Sequence, residues 1–301
     1  MMKTVGTNLK YQNLGTTPFA IETSKEHIKL HCVLLAVAKR GSGKSYFISN
    51  LLKWLDFDRI IIVSPTFESN IAQFKHLNID PKDVLDPDDP NTAQKLIDIA
   101  DDEAYDLQEY RRKLQIFKEL KSIYKQPNRV VDESLGLFHE FVDPFTNKWI
   151  PPSHIYNGRR PKIGVFVDDA QSTQIFRNKR FLNLVTRHRH LGSMPDDEPS
   201  IGMSLFIAVQ NYTAQGGGLP KAIRGNCTHL ALWKTKSDKE LKQISDELSG
   251  EVSATKFIEI YDYAMNNGEP YPMLFVDLHP KKEHPSQFRQ NYYKFIIPNE
   301  I

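Results

Sequence analysis

Eight consecutive residues, Ala38-Lys39-Arg40-Gly41-Ser42-Gly43-Lys44-Ser45, combine the types that can hold a nucleotide's phosphates. Gly41 and Gly43 let the backbone approach an anion, and a loop that opens a helix aims N–H groups at it. Lys44 has the reach for a β- or γ-phosphate, and the Ser45 hydroxyl is a ligand for Mg²⁺. A second set lies downstream, where Asp168 and Asp169 close the apolar run Ile163-Gly164-Val165-Phe166-Val167. Two carboxylates ending a buried strand suit phosphate hydrolysis: Asp168 to bind the metal through water, Asp169 to orient or deprotonate the attacking water. The plainer reading of Asp168-Asp169-Ala170-Gln171 is a cap on the following helix. Gln210 ends another apolar strand, where α/β sheets place their ligands; it could sense a γ-phosphate or the attacking water, and the plainer reading is a strand terminator. Hydrolysis also calls for a cation beyond Lys44. Arg187 and Arg189 in Thr186-Arg187-His188-Arg189-His190, and Arg224 in Pro220-Lys221-Ala222-Ile223-Arg224, are the candidates, and the sequence does not choose among them.

These residues need strands and helices to position them. The apolar run before the loop predicts a strand over 30–37, and the spacing after Lys44 predicts a helix over 44–55. Strand, glycine loop, lysine and helix is the context of a P-loop, although Ala38 stands where that pattern has its first glycine. Further strands are predicted at 59–65, 162–169, 203–210, 228–233, 272–277 and 292–297, and helices at 175–185 and 238–249. Phe176, Phe181, Leu182 and Val185 are expected to face inward from the first of these helices. Continuous apolar runs suit strands covered on both faces. The alternation predicts an α/β fold, a mainly parallel central sheet flanked by helices. Residues 1–29 read as an N-terminal arm and 30–301 as one P-loop domain. Within that domain, 80–160 reads as a partly helical insertion, with an apolar stripe through Leu107, Tyr110, Leu114, Phe117, Leu120 and Tyr124.

Composition bounds the rest. The 301 residues, 40% hydrophobic, fit one large or two modest domains. Mean hydropathy is −0.47. No apolar run approaches the roughly 20 residues that span a bilayer. The first residues lack the apolar stretch of a secretory signal. Cys32 and Cys227 read as small buried side chains of a reducing compartment, not a disulfide framework. The net charge of +2 does not announce a nucleic-acid binder, but the charge is uneven. Asp80 to Glu103 holds nine acids and two lysines, whereas Arg177 to His190 holds Arg177, Lys179, Arg180, Arg187 and Arg189 and no acid.

In this order the motifs resemble the viral genome-packaging ATPases of the FtsK–HerA superfamily, nearest the poxvirus-type ATPases of large DNA viruses, virophages and related elements. The resemblance covers about residues 30–235. It rests on the glycine loop, Ile61-Ile62-Val63-Ser64-Pro65-Thr66, Val165-Phe166-Val167-Asp168-Asp169, the Arg187-His188-Arg189-His190 segment, the strand ending in Gln210, and Pro220 with Arg224 and Asn226. It implies an ASCE-type (RecA-like) P-loop core using ATP and Mg²⁺, with Lys44 and Ser45 as the Walker A pair and Asp168 and Asp169 as Walker B. It further implies Gln210 as polar sensor and Arg187, Arg189 or Arg224 as an arginine reaching a neighbouring subunit's site. The expected assembly is a homo-oligomeric ring, a hexamer, driving double-stranded DNA into a preformed capsid at the viral assembly site inside the host cell, with capsid or portal-vertex proteins as partners. The loops expected to grip DNA are 211–221 and Arg177 to Arg180, through sequence-independent phosphate contacts. Two other classes compete. One is a P-loop kinase or signalling NTPase acting on a small molecule, against which the glutamine-ended strand speaks. The other is an inactive nucleotide-binding capsid scaffold, to which Ala38 lends slight support.

Overall fold

The computed structural model describes residues 21, 23–124, 138–195, 198–213, 218–235, 237–250, 252–266, 268 and 270–298. Its centre is built from short apolar runs too hydrophobic to leave either face in water. These form β1 (Val33–Val37), β2 (Arg59–Val63), β4 (Ile163–Val167), β5 (Ser204–Val209) and β6 (His229–Trp233), in which only Arg59 is not buried. A two-residue strand, β3 (Val84–Leu85), extends one edge. At the other edge lie β7 (Met273–Asp277), β8 (Phe288–Gln290) and β9 (Lys294–Ile296). The nine strands run in the order β3-β2-β4-β5-β1-β6-β7-β8-β9.

From β3 to β6 every neighbouring pair is parallel, whereas β6 to β9 pair antiparallel. The sheet is therefore mixed, a correction to a plain alternation of strands and helices. The β7–β8 and β8–β9 connections are shorter than the dozen or more residues that a parallel crossover needs. The strand expected at 292–297 is narrower, and β8 just before it was not foreseen.

Alternate residues of each central strand enter two cores. Leu34, Ala36, Ile62, Phe166 and Phe206 face α1 (Lys44–Trp54) and α2 (Phe67–Phe74). Val33, Leu35, Val63, Val165 and Leu205 face α3 (Thr92–Ile123), α4 (Lys179–Arg187), α5 (Lys221–Arg224), α6 (Asp238–Glu247) and α7 (Ala254–Met265). Among the described residues no helix is long and apolar enough to cross a membrane.

The 80–160 segment packs in two ways. Through Ala93, Leu96, Ala100, Ala104 and Leu107, α3 joins the main core, while Phe117 and Leu120 form a small separate core with Phe141. Of the expected stripe, Tyr110, Leu114 and Tyr124 are only half-buried. Arg59, at the start of β2, ties the segment to the sheet. It donates to Asp83 (2.7 and 3.0 Å) and to Glu103 (3.0 Å).

The helix expected at 175–185 begins as a 3₁₀ turn (Ile175–Arg177) and restarts as α4. Asn178 caps α4 by accepting from the N–H of Arg180 at 2.9 Å. Leu184 fills the inward position and Leu182 is only half-buried.

Candidate functional site

At the carboxyl ends of β1, β4 and β5 the chain brings together most of the residues singled out from sequence. β5 lies between β1 and β4. Gln210 therefore emerges between the glycine loop and the two aspartates. From adjacent strands, β1 leads to α1 on one face of the sheet and β5 leads toward α5 on the other. That divergence opens a crevice at the strand ends, the usual ligand position in open α/β sheets.

The loop starts as a continuation of β1. The Ala38 N–H donates to the Val209 carbonyl at 3.0 Å, and the Ala38 side chain is buried against the α1 side. Position 38 therefore behaves as sheet, and its backbone is not left-handed. Glycine is required further on, where Gly41 (φ 77°) and Gly43 (φ 90°) are left-handed. Lys39 and Arg40 are exposed between them and the strand, and Ser42 is half-buried, its N–H donating to the Lys39 carbonyl at 3.3 Å. Gly43 is the residue before α1. No side chain caps that helix, and its first turn carries no acid.

Lys44 is buried, with Nζ 3.8 Å from Asp169 Oδ1. Ser45 Oγ donates to Asp168 Oδ2 at 3.1 Å. Asp168 is 3% exposed, and its other oxygen, Oδ1, is buried with no hydrogen-bond partner. Burial pushes the Asp168 carboxyl up to about 6, and Asp169 beside it adds to the rise, against the pull of Lys44 and Ser45. A divalent cation would fit this arrangement: Asp168 and Ser45 would hold it, and its charge would offset the crowded carboxylates. Asp169 itself has φ 50°. A left-handed residue after a strand turns the carboxylate out of the ladder, and Asp tolerates this better than most residues.

Sequence reasoning did not single out Gln171 or Asn211. Gln171 accepts from the N–H of Gln210 at 2.9 Å and from that of Asn211 at 3.4 Å, and donates to the Asn211 carbonyl at 3.0 Å. Lys39 Nζ donates to Asn211 Oδ1 at 3.1 Å. The glycine loop, the aspartate loop and the Gln210 loop are thereby joined by side chains. The only sequence signal was an amide two residues after a paired carboxylate. Gln210 itself is exposed at the mouth.

The arginines lie elsewhere. Arg187 ends α4, and the adjoining His188 is bonded to the His31 carbonyl (2.9 Å) just ahead of β1. Arg187 and Arg189 therefore sit at the amino ends of the strands. Across five residues of sheet that is about 17 Å from the glycine loop. Both are exposed and, among the described residues, have no ion pair. Arg224 is engaged within the chain. It donates to both oxygens of Glu247 (2.9 and 3.2 Å) and to the Leu219 carbonyl (2.6 Å), and it covers the Tyr212 ring at 5.1 Å. Arg177, Lys179 and Arg180 are exposed near the carboxyl ends, beside the 86–90 turn that Asn178 and Gln174 contact. Part of the 211–221 loop, residues 214–217, lies outside the described residues.

No family model matches this chain, and no curated protein does. Among solved structures it is similar to the cytoplasmic domain of the Thermomonospora curvata Type VII secretion ATPase EccC, at 13% identity and a TM-score of 0.36, over 83% of this chain and 24% of that one. It is also similar to the pCW3 conjugation coupling protein TcpA in its monomer form with ATPγS, at 16% identity and a TM-score of 0.39, over 89% of this chain and 63% of that one. The chain thus spans about a quarter of the first protein and under two thirds of the second.

Proposed function

We propose that this chain is an ATP-hydrolysing motor of the FtsK–HerA kind that moves double-stranded DNA, and that its task is to package a viral genome into a preformed capsid. The observation that carries the ATPase part is the convergence of Lys44, Ser45, Asp168 and Asp169 around one buried, unpartnered carboxylate oxygen. The DNA and packaging parts rest on the order of motifs along the sequence. The intact Lys44–Asp169 and Ser45–Asp168 contacts argue against an inactive scaffold.

In this reading the open N-terminus of α1 and the glycine loop receive the phosphates. Lys44 turns from Asp169 to a phosphate oxygen. Ser45 and Asp168 would hold Mg²⁺, which would offset phosphate charge in the transition state. Asp169, released from Lys44, orients the attacking water and takes its proton. Gln210 adds an amide beside the same water, positioned by Gln171. The further cation comes from a neighbouring subunit of a ring. Arg187 and Arg189 are free for that role, whereas Arg224 would first have to leave Glu247. A ring of such subunits grips DNA phosphates through exposed cations such as Arg177, Lys179 and Arg180.

The test is ATP hydrolysis measured with and without linear double-stranded DNA at low salt, alongside the protein's mass in solution. Stimulation by DNA in an oligomer is expected. A monomer whose turnover ignores DNA would sink the motor reading. Subunit mixing tests the shared site. Arg187→Ala or Arg189→Ala protein, inactive alone, is expected to regain turnover when mixed with inactive Lys44→Ala protein, because one supplies the phosphate loop and the other the arginine.

A further inference from the structure

Tyr271 has a backbone conformation that tyrosine avoids. Its φ is 56°, in the left-handed region where bulky side chains are outliers. Asn or Gly would hold that turn without strain. The ring recovers little from the rest of the chain. It is 66% exposed and, among the described residues, has no hydrogen-bond, ionic or ring partner.

Its position is informative. β7 runs antiparallel to β6, with Met273 opposite Trp233. The residues just before β7 therefore lie at the carboxyl edge of the parallel strands, the edge that carries the glycine loop. Tyr271 reaches Gly43 itself: a Cβ built on Gly43 would lie 3.6 Å from Tyr271 Cβ and 3.7 Å from its Cγ. A large, exposed aromatic face is thus fixed beside the residue that opens α1, next to the cradle whose second mark is the unpartnered Asp168 oxygen.

We propose that Tyr271 is the nucleobase platform of this site, its ring stacking on the purine of the nucleotide whose phosphates lie on the glycine loop. The proposal rests on the nucleotide-binding reading above and adds what that reading leaves open: which residue meets the base. Stacking needs only a π-face and tolerates any base, so it raises affinity for purine nucleotides without selecting adenine over guanine. Strained backbone is retained where it pre-organises a ligand contact.

Binding of Mg²⁺-ATP and of Mg²⁺-tripolyphosphate, which has the phosphates but no base, separates the two contributions. Calorimetric titrations of the full chain are compared for wild type, Tyr271→Phe, Tyr271→Asn and Lys44→Ala. Loss of one stacked base weakens binding about tenfold. Tyr271→Asn is expected to lose that factor for ATP, bind tripolyphosphate as wild type does, and melt at a higher temperature, since Asn accepts the left-handed turn. Tyr271→Phe keeps the ring and keeps ATP affinity. Lys44→Ala loses both ligands. If Tyr271→Asn binds ATP as tightly as wild type, or loses both ligands equally, the platform is overturned while the phosphate site stands. If wild type binds neither ligand, the nucleotide reading falls and the platform falls with it.

Discussion

Glycines at the two ends of the parallel strands are left-handed for opposite reasons. At the carboxyl end, a Cβ on Gly41 would meet nothing within 4 Å, and one on Gly43 would make ordinary contact. At the amino end, Gly202 (φ 63°) precedes β5, and a Cβ there would lie 2.7 Å from His31 Cε1 and 2.8 Å from its Nε2. Both ends also bury polar groups. The carboxyl end holds a buried Asp168 oxygen without a partner. At the amino end His188 is buried, with its Nδ1 at 2.7 Å from the Val185 carbonyl and its Nε2 at 2.9 Å from the His31 carbonyl, and Asp277 lies 3.1 Å from His229 Nε2. At the amino end the glycine is enclosed by a buried ring, whereas at the carboxyl end the glycines leave open space for something that is not protein. Buried histidines and acids alone therefore do not identify a site; the open space beside them does.

Substitutions at the open end should affect turnover and spare the fold. Lys44→Ala removes the cation aimed at the phosphates, and losses of this kind cost about 10²–10³ in kcat. Its melting temperature should stay near wild type, because Lys44 is only 3.8 Å from a partly exposed Asp169. Steady-state ATPase assays and thermal melts on the same samples check both halves. Unchanged turnover would break the comparison at its active end.

The closed end should respond in the reverse sense. Gly202→Ala must bear both left-handed strain and a clash with the buried His31 ring, a loss of about 3 kcal/mol. Denaturant unfolding measures it, and turnover per folded molecule should hold. By the same comparison Gly41→Ala costs only the backbone strain but hinders phosphate approach.

The open end was largely legible because its signals are local. Apolar runs marked β1, β4 and β5, and the candidate residues follow where each run stops. What was missed depends on pairs far apart in sequence. Arg224 stands equal to Arg187 and Arg189 in the sequence, but Glu247, 23 residues on, holds it within the chain. Gln171 gained meaning only once β4 and β5 were neighbours. The antiparallel edge and α7 were missed for different reasons. Strand direction is not written in a five-residue apolar run. By contrast, Phe257, Ile260, Tyr261 and Ala264 did carry a helical period that could have been read.

Acid should sharpen the contrast further. Burial is the largest single influence and raises the Asp277 carboxyl, but the contact and charge of His229, the His279 N–H and the Arg289 charge together outweigh it and hold the group below its usual value. A depressed carboxylate stabilises the fold fully above its unfolded pKa of about 3.9, and that stability drains away as pH falls through the folded value. Asp277→Asn should lose about 2 kcal/mol at neutral pH. Its melting temperature should then vary less than that of wild type as pH drops below about 4. Parallel curves would mean that the pair contributes nothing.

The smallest effect expected is at Gln171, where the comparison is most demanding, because this side chain is well bonded and yet belongs to the open end. Its amide accepts from Gln210 and Asn211 and donates to Asn211, so it fills no ligand contact itself. It holds the Gln210 backbone beside the aspartate loop and, through Asn211 and Lys39, ties it to the glycine loop. Gln171→Ala should therefore cost about 1 kcal/mol of stability, as for one ordinary hydrogen bond. ATP binding should be unchanged, since Lys44, Ser45 and Asp168 keep their places. Turnover should fall about tenfold if Gln210 has the proposed role, because its backbone is no longer fixed and small misplacements are costly. Gln171→Glu keeps the acceptor for both N–H groups but loses the donor to Asn211, and should fall between the two. A loss of stability with full turnover would place Gln171 with the packed end, and the two ends would then be told apart by space alone.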